Sequence, residues 1–395
     1  MVVLDLVVTL LLAAGLAALS VLVLYMLSLA LAYFVGENAR TAIPLLPRSR
    51  FAFVVPAHDE ECGIEQTVAS LSCVAYPSAM FEVVVVADNC TDATAARAQA
   101  AGARVLERAD LNNKGKGYAL HHAFSQLLPE GHDAFIIIDA DSVVSDNFLQ
   151  VLDARLRAGE QVVQAYYGIA NPDASILTYL FQVGNLIENK LYWEPKQRLG
   201  LPVFLRGNGM CFARAILEKY PWDAFSITED TEFGLMLVEE GIRVNFASEM
   251  GVFAQQPETF QQAFAQRVRW AAGNSTLTKG RALQLLARGV VNREPASFDL
   301  GMSLLVASRP LLLVVNLLLG LLCALWAQAP LFYWAASLFV LQLFYLWLGI
   351  ILNGLSPQNL LRILLSPFYL SWLCVISLMG AAGFRNNQWV RTSRK

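Results

Sequence analysis

The hydrophobic pattern divides the chain into an apolar beginning, an alternating middle and an apolar end. The first apolar run, Val2–Val35, carries a single charge at Asp5. A helix of that length would extend about 50 Å, against about 30 Å for the hydrocarbon core of a bilayer. The run therefore predicts one long, tilted membrane span that serves as a permanent anchor. A cleaved signal peptide is the competing interpretation, but the run lacks the basic flank and cleavage site of such a peptide.

Three further apolar runs close the chain, and each is long enough to cross a bilayer. They are Met302–Trp326, Pro330–Asn353 and Leu360–Phe384. The segments that connect these runs are short, so helices formed by consecutive runs must be antiparallel. Within the last run, Leu360–Tyr369 contains Arg362 and Pro367, and it is a candidate for lying in the membrane interface instead of spanning.

Basic residues predict the orientation of the chain in the membrane. Arg40, Arg48 and Arg50 follow the first run, and the positive-inside rule assigns them to the cytoplasm. We therefore expect an outside N-terminus and a cytoplasmic middle region in a protein that crosses the inner (plasma) membrane several times. The basic tail Arg385–Lys395 also favours the cytoplasm, which requires that one C-terminal run does not span.

The middle of the chain alternates short β-rich apolar runs with helical periodicity, the pattern of a parallel sheet with crossover helices. The predicted strands are Phe51–Val55, Phe81–Ala87, Ala134–Asp139 and Gln161–Ile169, and the predicted helices are Gly63–Leu71, Thr91–Ala101, Lys116–Leu128 and Asn147–Arg157. The expected organisation is an N-terminal anchor and linker over residues 1–49, an α/β domain over 50–300, and about three membrane helices with a basic tail over 301–395.

Composition narrows the class of protein. Of the 395 residues, 56% are hydrophobic and 15% are charged, which excludes a disordered chain and disfavours an ordinary soluble enzyme. Residues 51–300 hold 20 basic and 30 acidic residues, so this region offers no general field for nucleic acid. The six cysteines form no CxxC pair, which argues against a zinc cluster and against a disulfide scaffold.

Acidic residues follow each of the first three predicted strands. The three clusters are Pro56–Glu61, Asp88–Asp92 and Asp139–Asp141. Because ligands bind at the carboxyl ends of parallel strands, the clusters are expected to converge on one site. Any one of them could instead cap a helix, as Thr91 or Asp92 could. Asp139 and Asp141 form a DxD motif at a rigid strand end, where both carboxylates can reach one Mg²⁺ or Mn²⁺ ion.

Six motifs follow one another along the middle of the chain: Pro56–Glu61, Val85–Asp92, Gly115-Lys-Gly117, Asp139-Ala-Asp141, Thr228-Glu-Asp230 and Gln266-Arg-Val-Arg-Trp270. In this order and spacing they resemble the membrane-bound family-2 glycosyltransferases, the group of cellulose, chitin and hyaluronan synthases and ceramide glucosyltransferases. The resemblance implies a GT-A fold with a mainly parallel sheet, flanked by transmembrane helices, and an inverting enzyme that uses a UDP-sugar.

The resemblance also implies a donor site. The uridine would be held by Pro56, His58, Glu60 and Asp88, although Ala87 stands where the family usually has another acid. Lys116 would approach the diphosphate, and a solvated surface lysine is the alternative. Asp139 would contact the nucleotide and, with Asp141, the metal ion, which is expected to be Mg²⁺ or Mn²⁺.

The catalytic base implied by the resemblance is Asp230, with Glu229 beside it. The competing interpretation is a helix start in which Thr228 is the cap and the acids lie in the first turn. Gln266, Arg269 and Trp270 form a Gln-x-x-Arg-Trp motif and share one helix face at i, i+3, i+4. A glutamine, a guanidinium and an indole on one face suit a sugar phosphate, with Arg269 at the pyrophosphate and Trp270 stacked under the acceptor sugar. An amphipathic helix on the membrane, with Trp270 as an interface anchor, is the alternative.

The expected reaction is transfer of a sugar of the glucose or N-acetylglucosamine type from a UDP-sugar, with formation of a β-glycosidic bond. Surface polysaccharide synthesis is the favoured interpretation, and transfer of one sugar to a membrane lipid, as in ceramide glucosyltransferases, is the alternative. The partners would be the donor, a glycan or lipid acceptor and membrane lipids, with a homo-oligomer as one arrangement that could share a pore. A transporter or scaffold that merely binds nucleotide is the rival from another class, and Asp230 argues against it because a nucleotide binder needs no acceptor base.

Overall fold

The computed structural model of the protein describes residues 2–36 and 46–384. Arg40 and the basic tail Arg385–Lys395, which entered the orientation prediction, lie outside the described residues. The described chain divides into two compact units. We call residues 46–172 and 196–256 the sheet unit, and residues 2–36, 173–195 and 257–384 the helical unit.

Helices and strands occupy most of the described chain. The helices are α1 (Val2–Val35), α2 (Ile64–Ser72), α3 (Thr94–Ala100), α4 (Lys116–Leu127), α5 (Phe148–Arg157), α6 (Ile176–Leu186), α7 (Glu194–Arg198), α8 (Arg214–Lys219), α9 (Glu229–Glu239), α10 (Phe260–Val291), α11 (Pro295–Val306), α12 (Arg309–Leu325), α13 (Ala329–Leu352), α14 (Pro357–Ile363) and α15 (Ser366–Ala381). The strands are β1 (Phe51–Ala57), β2 (Phe81–Asp88), β3 (Arg104–Arg108), β4 (Ala134–Ile137), β5 (Ser142–Val144), β6 (Val162–Ile169), β7 (Met210–Ala213) and β8 (Val244–Ala254).

The eight strands form one sheet in the order β3-β2-β1-β4-β7-β6-β8-β5. The half built from β3, β2, β1 and β4 is parallel throughout. In the other half, β7 runs antiparallel to both of its neighbours, β5 runs antiparallel to β8, and β6 is parallel to β8. The four predicted strands correspond to β1, β2, β4 and β6.

The core of the sheet unit lies on both faces of the parallel half. Every residue from Phe51 to Val55 is fully buried, as expected for a central strand covered by helices on both sides. Phe51, Phe53 and Val55 pack on one side with Ile64 and Val68 of α2. This packing fixes the ends of β1, β2 and β4, from which the predicted nucleotide and metal residues emerge.

The helical unit contains two helices that are long and apolar enough to cross a membrane, α1 and α13. The predicted span Met302–Trp326 is divided, because α11 and α12 meet at a bend of 69°. A proline follows Arg309 in the first turn of α12, a position where its missing N–H is tolerated. The predicted run Leu360–Phe384 is likewise divided into α14 and α15, and α15 has only 16 residues.

Ionisable side chains form paired, partly buried contacts among these apolar helices. Arg309 at the start of α12 donates to Glu188 at 2.6 Å, and Glu188 belongs to a π-helical segment, Ile187–Trp193. Tyr25 of α1 donates to Asp299 of α11 at 2.6 Å. Ionisable groups between apolar helices are costly unless they are paired. These contacts therefore tie several parts of the helical unit together.

Candidate active site

The loops that follow β1 and β2 interlock. The His58 ring donates from Nδ1 to the Asp88 carbonyl oxygen at 2.7 Å, and the Glu60 N–H donates to Thr94 Oγ1 at 2.8 Å. Pro56 lies inside β1, opposite Val86 of β2. The four residues predicted to hold the uridine thus come from two adjacent strand ends.

Asp92 links the start of α3 to the loop after β1. Its carboxylate accepts the Thr94 N–H at 2.9 Å and the Glu61 N–H at 3.2 Å. The N-cap position of α3 is Ala93, one residue later, so neither Thr91 nor Asp92 is the N-cap residue that the sequence suggested.

Asp88 forms an ion pair that sequence reasoning missed. Its side chain is buried, and it accepts from Arg108 Nη1 at 2.6 Å. The other guanidinium nitrogen of Arg108 donates to Asp110 at 3.0 Å, and the guanidinium lies 5.7 Å from the ring centroid of Tyr118. Arg108 ends β3, a short strand that the hydrophobic pattern did not reveal. Because β3 itself was not predicted, the sequence offered no signal that places Arg108 beside Asp88.

Lys116 lies where the predicted motifs meet. Its side chain is 18% exposed, and its ammonium donates to Asp139 Oδ1 and to the Gly207 carbonyl, both at 2.5 Å. Gly117, the next residue, packs so closely that an added Cβ would collide with the Ala224 carbonyl oxygen. The glycine therefore allows the start of α4 to approach the segment that leads to Glu229. Lys116 is a partly buried lysine paired with Asp139, and the alternative of a solvated surface lysine is wrong.

Asp230 reaches the same place from the first turn of α9. A Cβ built on Gly207 would lie 3.2 Å from Asp230 Oδ2 and 3.5 Å from Lys116 Nζ, so the carboxylate and the ammonium flank this glycine. The Asp230 carboxylate also accepts the Thr231 N–H at 2.7 Å. Thr228 occupies the N-cap position, but its side chain makes no capping hydrogen bond. Asp230 is thus held by the helix start and directed towards Lys116.

Burial and mutual charge shift the proton affinities of this group. Burial raises the pKa of Glu229 to about 8, and the charge of Asp230 contributes to the shift. Burial also raises the pKa of Asp230, while the Thr231 N–H and Lys116 oppose that shift. Burial alone would lower the pKa of Lys116, but the charges of Asp139, Glu229 and Asp230 raise it. One buried and one partly buried acid beside one cation favour retention of a proton on the acid pair.

The donor set at Asp139 and Asp141 fits a hard divalent cation. Both residues supply carboxylate oxygens from the turn between β4 and β5, and Asp141 accepts from the Ser142 hydroxyl at 3.0 Å. Two carboxylates with waters and substrate phosphates are what Mg²⁺ commonly takes.

Two other groups of potential ligands have different roles in the described residues. They are Asp59–Cys90–Asp92 and Glu82–Glu130–His132. The acids of the first accept backbone N–H groups, as from Thr91 to Asp59 at 2.7 Å. Glu130 of the second is paired with Arg104 at 2.6 Å, and His132 with Glu82 at 2.8 Å.

Gln266, Arg269 and Trp270 lie on α10, in the helical unit, at the predicted spacing. Arg267, which was not predicted, contacts two aromatic rings of the same unit. Its guanidinium lies 4.0 Å from the ring centroid of Phe181 and 5.0 Å from that of Trp270. The indole of Trp270 thus packs against a cation of its own helix.

Comparison with known proteins identifies the family. Residues 47–273 match the sequence profile described as "Glycosyltransferase like family 2". The chain belongs to glycosyltransferase family 2. The matched region contains every motif named above, from Pro56 to Trp270, so the predicted family is confirmed. The narrower assignment to the cellulose, chitin and ceramide group stays a prediction.

Two relatives are similar in sequence to this family-2 glycosyltransferase. It is 25% identical over 234 residues to the probable glycosyltransferase YdaM of Bacillus subtilis, and the alignment covers 57% of this chain and 55% of the relative. It is 32% identical over 238 residues to a β-monoglucosyldiacylglycerol synthase of Nostoc sp., and the alignment covers 56% of this chain and 48% of the relative. The chain thus spans about half the length of the relatives that it matches.

The fold of this glycosyltransferase is similar to a solved structure. The mannosyltransferase PcManGT of Pyrobaculum calidifontis, solved with GDP-mannose and Mn²⁺, matches with a TM-score of 0.58 at 16% identity. The match covers 95% of this chain and 100% of the mannosyltransferase. The GT-A fold with a mainly parallel sheet, predicted from the sequence, is confirmed.

Proposed function

We propose that the protein is a membrane-associated inverting glycosyltransferase that transfers one glucose from UDP-glucose to a hydroxyl of a membrane lipid of the diacylglycerol type. The observation that carries the proposal is the convergence of Lys116, Asp139 and Asp230 around Gly207. This arrangement supports a single site that combines a cation for the diphosphate, a carboxylate of the DxD motif and a candidate base.

The proposed chemistry is a single displacement. Asp230 takes the proton from the acceptor hydroxyl, and the hydroxyl oxygen attacks the anomeric carbon on the face opposite UDP. The bond from the anomeric carbon to the UDP oxygen breaks, and the configuration inverts from α to β. Lys116 stabilises the negative charge that develops on the departing diphosphate.

Asp141 and Asp139 would hold the divalent cation. When bound, Mg²⁺ or Mn²⁺ acts as a Lewis acid that neutralises charge on the leaving UDP. The mannosyltransferase with the similar fold was solved with Mn²⁺, which supports this choice of ion. Asp88 and its partner Arg108 lie at the neighbouring strand end, where we place the uridine.

The lipid acceptor is supported by two observations. The first is the 32% identity to the β-monoglucosyldiacylglycerol synthase of Nostoc sp.. The second is the pair of apolar helices α1 and α13, which bring the protein to the membrane in which such an acceptor dissolves. Arg48 and Arg50 follow α1, and their charge supports a cytoplasmic location of the sheet unit, where UDP-sugars are found.

Product analysis tests the proposal. Purified protein is given Mn²⁺, diacylglycerol in detergent micelles, and radiolabelled UDP-glucose or UDP-N-acetylglucosamine. We expect one organic-soluble product that carries one glucose. A high-mass or ladder product would favour surface polysaccharide synthesis, the interpretation preferred from the sequence alone. Release of UDP without any glycosylated product would contradict both lipid glycosylation and polysaccharide synthesis.

A further inference from the structure

Three buried polar side chains form a hydrogen-bonded relay beneath the DxD motif. Gln164 of β6, Asn208 of the segment before β7, and Ser142 of β5 are each fully buried. Buried polar groups must be hydrogen-bonded, and a fully satisfied network fixes the groups that it joins. We call Gln164, Asn208 and Ser142 the amide–hydroxyl relay.

Asn208 connects the two acids of the DxD motif. Its side-chain oxygen accepts the backbone N–H of Asp139 at 3.1 Å, and its side-chain nitrogen donates to Ser142 Oγ at 2.8 Å. Ser142 Oγ in turn donates to Asp141 Oδ1 at 3.0 Å. The serine hydroxyl has one proton, so the bond from Asn208 leaves that proton directed at Asp141. The relay thus holds the backbone of one acid and the carboxylate of the other.

Gln164 fixes the opposite end of the relay. Its oxygen accepts the Arg206 N–H at 2.9 Å, and its nitrogen donates to the Asn208 carbonyl at 2.8 Å. These bonds hold the backbone on both sides of Gly207, whose φ of +72° suits a glycine. Gly207 presents its carbonyl to Lys116 and lies against Asp230. The amide–hydroxyl relay therefore holds Gly207, which contacts Lys116 and lies against Asp230. The same relay bonds to Asp139 and Asp141.

We propose that Asn208 and Ser142 are positioning residues for metal-dependent nucleotide binding, acting through Asp139 and Asp141. This inference rests on the proposed function, because it takes the DxD acids as the metal site. Neither residue is assigned a contact with the substrate. Their effect is on the direction of the Asp141 carboxylate and on the distance between the two acids. A purely structural role would stabilise the sheet without changing the affinity for the metal.

Binding of UDP as a function of Mn²⁺ concentration tests the inference. Ser142→Ala and Asn208→Ala are compared with the unaltered protein by calorimetry and by thermal unfolding. Asn245→Ala is the matched control, since Asn245 is also a buried amide of the same sheet and donates to the Val162 carbonyl at 3.2 Å. We expect the relay variants to need about 10–100-fold more Mn²⁺, as loss of outer partners of metal ligands commonly causes. The control is expected to lose stability with unchanged Mn²⁺ dependence.

Two outcomes separate the inference from the function on which it rests. If Asp141→Asn leaves Mn²⁺-dependent UDP binding unchanged, the proposed metal site itself is wrong. If Asp141→Asn abolishes that binding while both relay variants match Asn245→Ala, the positioning role is wrong and the function stands. Should Asn208→Ala fail to fold, Ser142→Ala decides alone, because it removes one oxygen atom.

Discussion

The Lys116 ammonium lies 2.5 Å from Asp139 Oδ1, and this contact joins two motifs from different parts of the sheet unit. Lys116 begins α4, whereas Asp139 follows β4. Both side chains are close to the acids Glu229 and Asp230. Lys116 is thus a counter-charge for the site as well as a candidate ligand for the diphosphate of the donor.

Replacement of Lys116 tests that double role. Lys116→Met removes one cation and leaves Asp139, Glu229 and Asp230 without their shared partner. We expect UDP affinity to fall about 10–100-fold, since a hydrogen bond to a charged group contributes about 1.5–3 kcal/mol. Calorimetric titration with UDP measures the change. Lys114→Met is the control, because Lys114 is two residues away and exposed. An equal loss of UDP affinity in both variants would contradict a role of Lys116 in binding the diphosphate.

Asp230→Asn tests the base. The substitution keeps the shape and the Thr231 contact site but removes proton acceptance. General-base catalysis contributes about 10²–10⁴-fold, so kcat is expected to fall by that factor while UDP affinity and Tm change little. Steady-state UDP release measures kcat. Retention of more than a few per cent of the turnover would contradict the assignment.

The pH dependence of stability tests the proton held by the acid pair. Burial raises the pKa of Glu229 to about 8 from its ordinary 4.5. A carboxyl whose pKa rises on folding stabilises the fold below its unfolded pKa, and this contribution disappears as pH rises through the folded pKa. We therefore expect the Tm of the ligand-free protein to fall between about pH 5 and 8, relative to Glu229→Gln.

The matched control for the pH experiment is Glu218→Gln. Glu218 is half-exposed and pairs with Arg214 on the surface of α8. Its variant should show the same pH dependence as the unaltered protein. If Glu229→Gln also follows the unaltered protein over this range, Glu229 holds no proton there.

The partly buried ion pair between Glu188 and Arg309 in the helical unit allows a stability prediction. Glu188→Gln leaves Arg309 without this charged partner. Because the two side chains are 20% and 16% exposed, the cost should lie below the about 3–5 kcal/mol of a fully buried pair. Thermal unfolding in detergent should show a clear drop in Tm. Glu218→Gln, which breaks the exposed pair with Arg214, should cost about 0–1 kcal/mol. Equal effects of the two variants would contradict a structural role of the Glu188–Arg309 pair.

The sequence predicted β1, β2 and β4 of the parallel half, because these strands are largely buried on both faces and read as unbroken apolar runs. Ala134–Ile137 and Phe51–Ala57 are examples. It did not reveal β3, which begins and ends with arginine, or β7, which has four residues. Short strands and edge strands with polar residues carry little periodic signal.

The candidate site was predicted in part. Acids after strands and the glycine-flanked Lys116 are local signals, and the structure brings Lys116, Asp139 and Asp230 together. Arg108 and Asn208 could not be recognised, because their contacts with Asp88 and Asp139 depend on strand order, which a single sequence does not contain. The amide–hydroxyl relay gives the glycine-flanked position of Asn208 a physical role.

The anomeric configuration of the product distinguishes the proposed single displacement from a retaining reaction. The protein is given Mn²⁺, UDP-α-glucose and diacylglycerol, and the purified glycolipid is examined by proton NMR. We expect a single β-linked glucose on the lipid hydroxyl, because Asp230 activates that hydroxyl for attack from the face opposite UDP. An α-linked glucose on the lipid would contradict it, since retention requires a different reaction from the one that this site is proposed to perform.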